Sequence, residues 1–175
     1  MTEAAESQDD DERLFYALIG HCVTRYQGIE DYLETIFWVA IGTDRDKSNA
    51  IFGVVRGLEK KIEIISAAFI GADSAVRAKW DRLSSRIAAA ANARNSIAQL
   101  NPVFVGSSSA VFDRDSIRIV EVHTPRFELH KATKAGKKVW AIDSLREEHG
   151  RSRDLYLHLI GFVRELRGEP VPEHL

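Results

Sequence analysis

This chain predicts a mainly helical domain with a small β insertion, and three observations lead there. Apolar residues recur every three or four positions from Phe15 to Ala40, from Ile51 to Phe69, from Val76 to Ala98 and from Leu155 to Leu166. Between Pro102 and Ile142 that period gives way to alternation, in short runs rich in β-branched and aromatic residues. The connections between the first three helical stretches are short, which makes those helices antiparallel neighbours. The expected architecture is therefore an antiparallel four-helix bundle with a small antiparallel β-meander inserted between helices 3 and 4.

Taken in order, residues 1–10 are polar and acidic without periodicity and read as a flexible tail. The first helix then carries Phe15, Ile19, Cys22, Tyr26, Ile29, Leu33, Phe37 and Ala40 on one stripe and stops at Gly42. Gly20 and Gly28 lie inside it. Each costs about 1 kcal/mol relative to Ala in a helix, so they suggest a neighbouring backbone at close range. After a polar loop at Thr43 to Asp46, a second helix places Ile51, Val55, Leu58, Ile62, Ile65 and Phe69 on one face and ends at Gly71. Asp73 or Ser74 caps a third helix, whose stripe is Val76, Trp80, Leu83, Ile87, Ala91, Arg94 and Ala98. PVFV, AVF, SIRIVEV, RFELHKA and KKVWAI follow as five short strands. Ser144, with Glu147 three positions on, reads as a capping box for the fourth helix, which closes at Gly168 and Pro170. Residues 11–168 thus form one domain, with 169–175 as a C-terminal tail.

Composition narrows the function classes without choosing among them. Hydrophobic residues make up 45% and charged residues 29%, the balance of an ordinary folded domain rather than a disordered or membrane-spanning chain. The net charge is −2, but the first twelve residues hold six acids and no base, so the remainder is mildly basic. That balance admits a polyanionic partner. Cys22 is the only cysteine, which excludes a disulfide within the chain and favours a reducing, cytoplasmic setting. No apolar run approaches the roughly 18 residues of a spanning helix, and the acidic N-terminus lacks the basic and apolar regions of a secretory signal. No membrane partner is expected. There is no Gly-rich phosphate loop, nucleophile elbow or zinc-helix motif. No cofactor is implied.

The residue that stands out is Arg94, a charge inside an otherwise apolar stripe. A guanidinium in such a place requires a partner, and Glu30, beside the stripe of the first helix, is the candidate for an ion pair. An Arg holding two helices together explains the position as well as a functional Arg does. Asn95 and Gln99, four residues apart, share a face next to it.

At these residues the chain resembles the HEPN-like helical bundles. The likeness lies in a long first helix with Gly28-Ile29-Glu30, a third helix ending in RNSIAQ from Arg94 to Gln99, a β excursion, and a fourth helix. Many members end that helix with Arg-Asn-x-x-Ala-His. In active members the Arg and the His meet across a dimer and cleave RNA without a metal, the His moving protons and the Arg orienting phosphate. Arg94 and Asn95 match the motif. Gln99 stands where the His would be, and an amide does not exchange a proton near neutral pH. The resemblance therefore implies a homodimeric, non-catalytic interaction or RNA-binding module, with an RNA or protein partner in a defence or toxin–antitoxin setting. The other reading it leaves is a metal-independent ribonuclease using Arg94 and a base not yet identified.

Two further features bear on binding. Arg126, Lys131, Lys134, Lys137 and Lys138 crowd the stretch from His123 to Lys138 against the single acid Glu128, which suits a phosphate backbone and equally suits edge strands that resist aggregation. Phe127 and Trp140 alternate with these residues and fit either base stacking or the core. His123 and His130 lack the Cys or carboxylate companions of a metal site, so no metal is expected.

Overall fold

Five helices carry the described residues of the chain in the computed structural model. It describes residues 2–99, 101–105, 109–113, 116–120, 126–133 and 136–172, with side chains from 10 to 99, at 128 and 129, and from 139 to 172. The helices are α1 (Thr2–Ile41), α2 (Arg45–Val54), α3 (Leu58–Ala68), α4 (Ser74–Ala98) and α5 (Ile142–Leu166), with strands β1 (Asn101–Val105), β2 (Ser109–Asp113), β3 (Ser116–Val120), β4 (Arg126–Thr133) and β5 (Gly136–Trp140) between α4 and α5. The protein is mainly helical with antiparallel β structure. Among the described residues, no helix is long and apolar enough to cross a membrane.

Two helix boundaries differ from the sequence expectation. The acidic segment placed in a flexible tail belongs to α1, which starts at Thr2. At the other end of the domain, α5 starts at Ile142 with Ala141 at its N-cap, so the Ser144–Glu147 capping box is not used. The remaining stops follow local chemistry. Gly42, Gly71 and Gly168 all take positive φ just past helix ends, and the Asp44 and Asp73 carboxylates accept hydrogen bonds from the Lys47 and Ala75 amides at 2.8 and 2.7 Å.

The expected second helix is two. The chain leaves α2 in extended conformation at Val55 and turns at Gly57, where φ is 82°. A side chain is strained in that region, so the glycine permits the break. Its consequence is a change of face: α2 buries Ser48 and Phe52 and leaves Ile51 and Val54 exposed. Its consequence for topology is larger. The start of α3 lies beside Tyr26 and Glu30, far back along α1, so α2 makes the return and α3 rises in the direction of α1.

Helix directions follow from contacts that advance together. His21 meets His149, Tyr32 meets Tyr156 and Trp38 meets Arg167, so α1 and α5 are parallel. Lys79 pairs with Glu165 and Arg86 with Asp154, so α4 runs against α5. The plan is thus not a simple antiparallel four-helix bundle, because α1, α3 and α5 point one way and α4 the other.

Among the described residues, two hydrophobic clusters form the core. The larger gathers Ile29, Leu33, Ile36, Phe37, Ile65, Trp80, Leu159 and Phe162 with their neighbours from all five helices. Trp80 is fully buried at its centre, stacked on Phe162, with its indole N–H donating to Ser66 Oγ at 2.8 Å. The smaller cluster, Phe15, Leu18, Cys22, Ile97, Leu129, Trp140 and Leu145, seats the sheet against α1, α4 and α5. Trp140 is therefore a core residue. Phe127 has its backbone in β4, and its side chain lies outside the described residues.

The five strands are all found, but not as one meander. β1 pairs with β4 and β4 with β5 in a three-stranded antiparallel sheet, while β2 and β3 form a separate antiparallel pair between them in sequence. Strand runs are visible in alternation, whereas pairing order depends on which apolar faces find the core. Leu129 and Trp140 sit opposite each other in the β4–β5 register and are both buried.

Candidate functional site

Arg94 opens onto a cleft of about 480 Å³ walled by Tyr26 and Glu30 of α1, Leu58, Glu59 and Ile62 of α3, and Ala88, Ala91, Asn92 and Asn95 of α4. The space exists because α4 presents alanine where it crosses α3. Break α2 from α3 elsewhere and the α3 wall moves. The cleft is a product of the Gly57 turn as much as of the Arg94 stretch.

Arg94 is half-buried, with its guanidinium carbon 5.4 Å from the centre of the Tyr26 ring. Its Nη1 donates to Asn95 Oδ1 at 2.9 Å. Its Nε–H is buried with no hydrogen-bond partner. Glu30 shares the cleft, yet among the described residues no ion pair joins it to Arg94, so the expected partner is replaced by a ring face and an amide. A buried donor left unpaired costs about 1–3 kcal/mol.

Tyr26 is not a base for this site. Burial, then the nearby Glu30 carboxylate, push its phenol up to about 12, and Arg94 only partly offsets them. The hydroxyl stays protonated at neutral pH.

Of the motif residues, the structure brings Arg94 and Asn95 together and leaves Gln99 apart. Gln99 is the exposed C-cap of α4, beyond the last helical residue, and does not line the cleft. Five residues along a helix is a rotation of roughly 140° from Arg94, so one chain cannot point both into the same space. The shared face of Asn95 and Gln99 ends where the helix ends.

The basic residues of the β segment divide. Lys131 in β4 is registered opposite Lys138 in β5, with Lys137 opposite Ala132, while Arg126 sits at the far end of β4 opposite Val105. Lys134 lies outside the described residues, as do the side chains of the other four.

One constellation was not legible in the sequence. His21 of α1 and His149 of α5 stand with ring centroids 5.5 Å apart. They are 128 positions apart in the chain and meet because α1 and α5 are parallel. No motif marks them. Five residues separate His21 from Tyr26, again roughly 140° around the helix, so this pair and the Arg94 cleft face different sides of α1. Among the described residues, no group of three or more His, Cys, Asp or Glu is placed to hold a metal ion.

Comparison with protein-family models, with curated proteins and with solved structures gives no match to this chain.

Proposed function

We propose that this chain is a HEPN-like, non-catalytic module that binds RNA through the Arg94 cleft and works as a homodimer, in the cytoplasmic setting of a defence or toxin–antitoxin system. The observation that carries the reading is the Arg94 guanidinium on the wall of the cleft, held by the Tyr26 ring and the Asn95 amide, with no ion pair to Glu30 or Glu59 among the described residues. A cation oriented by a ring and an amide is prepared for a phosphate oxygen. Asn92 and Asn95 add neutral donors beside it. The carboxylates of Glu30 and Glu59 on the opposite walls bias the cleft toward a partner that presents one phosphate at the α4 edge rather than a continuous backbone.

Binding of a labelled single-stranded RNA, followed by fluorescence anisotropy in the presence of a chelator, tests the proposal. The expected result is an affinity that falls as salt rises and is lost in Arg94→Ala, with the RNA recovered intact. Equal binding by Arg94→Ala overturns the role of the cleft. Cleavage that persists in chelator and disappears in Arg94→Ala would make the protein a metal-independent ribonuclease instead. In one chain, neither His21 nor His149 faces the cleft to serve as its base, so that outcome would require the base to come from elsewhere. The dimer is read by light scattering, with a mass twice the 19.7 kDa of the chain expected.

A further inference from the structure

On another face of α1 from Arg94, α1 and α5 run side by side and assemble four basic side chains. His21 and His149 face each other with rings tilted by 46°. One turn further along each helix stand Arg25 and Arg153, and both bear electrostatically on His149. The acids of this stretch are engaged elsewhere. Glu147 and Glu148 lie against Arg151, and Asp154 pairs with Arg86 on α4 and approaches His158. Among the described residues, the charged groups that act on His149 are His21 and Arg25 from α1 and Arg153 from its own helix, all basic.

The cluster is held in shape. The Arg25 guanidinium lies 5.3 Å over the Tyr156 ring, and Tyr156 is fixed edge-on against Tyr32. Gly28 allows this, because a Cβ there would meet Tyr156 Cε2 at 3.1 Å. Glycines also flank both imidazoles. Nothing lies within 4 Å of where a Cβ would stand at Gly20 or Gly150, and His21 and Arg153 are exposed while Arg25 and His149 are half-buried, so solvent reaches the cluster.

Four basic side chains grouped along the α1–α5 seam, with no carboxylate among the groups that act on His149, favour an anion beside them. Two guanidinium forks and two imidazole N–H groups suit a group with several acceptor oxygens better than a spherical ion. We propose that His21, Arg25, His149 and Arg153 form a phosphoryl-binding site, which takes either free phosphate or the phosphodiester of a nucleic acid. This site does not depend on the Arg94 cleft. Burial and then the neighbouring cations hold His149 below the usual histidine range, so it is neutral when empty. An anion reverses the repulsive part, and binding takes up protons and strengthens as pH falls.

The test is a titration of the full chain, followed by imidazole NMR, with inorganic phosphate in one arm and the dinucleotide UpU in the other, at constant ionic strength set with chloride. The expected result is a saturable shift of the His21 and His149 signals by at least one probe, retained in Arg94→Ala, and for UpU, whose diester keeps one charge throughout, an affinity several-fold higher at about pH 6 than at about pH 7.5. The double variant Arg25→Gln, Arg153→Gln should bind at least about tenfold more weakly with its helical signal intact. Saturation by phosphate alone assigns the site to free phosphate, and stronger saturation by UpU assigns it to nucleic acid. No saturable shift with either probe, or an equal response to added chloride, overturns the proposal. So does wild-type affinity in the double variant.

Discussion

Arg94 and Tyr26 are joined across the α1–α4 seam by a guanidinium lying 5.4 Å from the ring centre, in the place where an ion pair was expected. Tyr26 is buried, so the contact is largely shielded from water, where such a contact is worth about 2 kcal/mol and less when exposed. Tyr26→Phe keeps the ring face and should unfold within about 0.5 kcal/mol of wild type in urea. Tyr26→Leu removes it and should lose about 1–2 kcal/mol. If Leu proves as stable as Phe, Arg94 is not held by the ring.

Gly20 and Gly28 look alike in sequence and should answer substitution oppositely. At Gly20 a methyl meets nothing within 4 Å, so Gly20→Ala should gain up to about 1 kcal/mol of helix stability. At Gly28 the methyl would press on Tyr156 at 3.1 Å, and that ring is pinned by Tyr32 and Arg25. Overpacking of about 1–3 kcal/mol should exceed the helical gain, so Gly28→Ala should lower the melting temperature. Two raised melting temperatures would mean that Tyr156 yields freely.

Cys22 should be inert in the native state. Burial first, and then Glu148, push its thiol up from 9.0 to about 11, and its Sγ–H donates to the Leu145 carbonyl oxygen at 3.8 Å. Alkylation by iodoacetamide at about pH 8 should be slow until the chain unfolds. The linkage has a definite sign. The folded protein keeps a proton that the unfolded chain releases above pH 9.0, so this contribution to stability is full below that value and falls as pH rises to about 11. A melting temperature that rises across that window in wild type but not in Cys22→Ala would contradict the assignment.

His149 titrates in the opposite sense. Its pKa is lowered by burial first, then by His21, Arg25 and Arg153, so the unfolded chain binds the proton more tightly. Stability from this group is present above the ordinary histidine range and is lost as pH falls through it. Arg25→Gln removes one of the repelling charges and should raise the His149 midpoint in an NMR titration. An unchanged midpoint would remove Arg25 from the causes and leave burial, His21 and Arg153.

Gln99→His examines the residue that departs from the HEPN-like motif. Gln99 is exposed at the end of α4, so the substitution should leave stability within about 0.5 kcal/mol. Within one chain the new imidazole points away from Arg94. Any gain of metal-independent RNA cleavage must then come from a second copy, with a rate that follows a pKa near about 6.5. Cleavage by a variant that light scattering finds monomeric would refute the dimeric arrangement.

Sequence alone determined what depends on neighbours along the chain. The 3.6-residue period located the helical stretches, glycine past the last apolar turn marked the ends at Gly42, Gly71 and Gly168, and alternation located all five strands. Arg94 was visible because a charge broke an apolar stripe. The split at Gly57 was missed because Ile51 and Val55 continued the period, although the face actually buried runs through Ser48 and Phe52. Tertiary structure decided which faces meet. It made α1 and α5 parallel, paired β1 with β4, turned Arg94 toward Tyr26 rather than Glu30, and set His21 beside His149. Spacing along a helix states which residues share a face, but the partner of that face depends on where the chain reverses, and one glycine at position 57 changed that direction for every helix behind it.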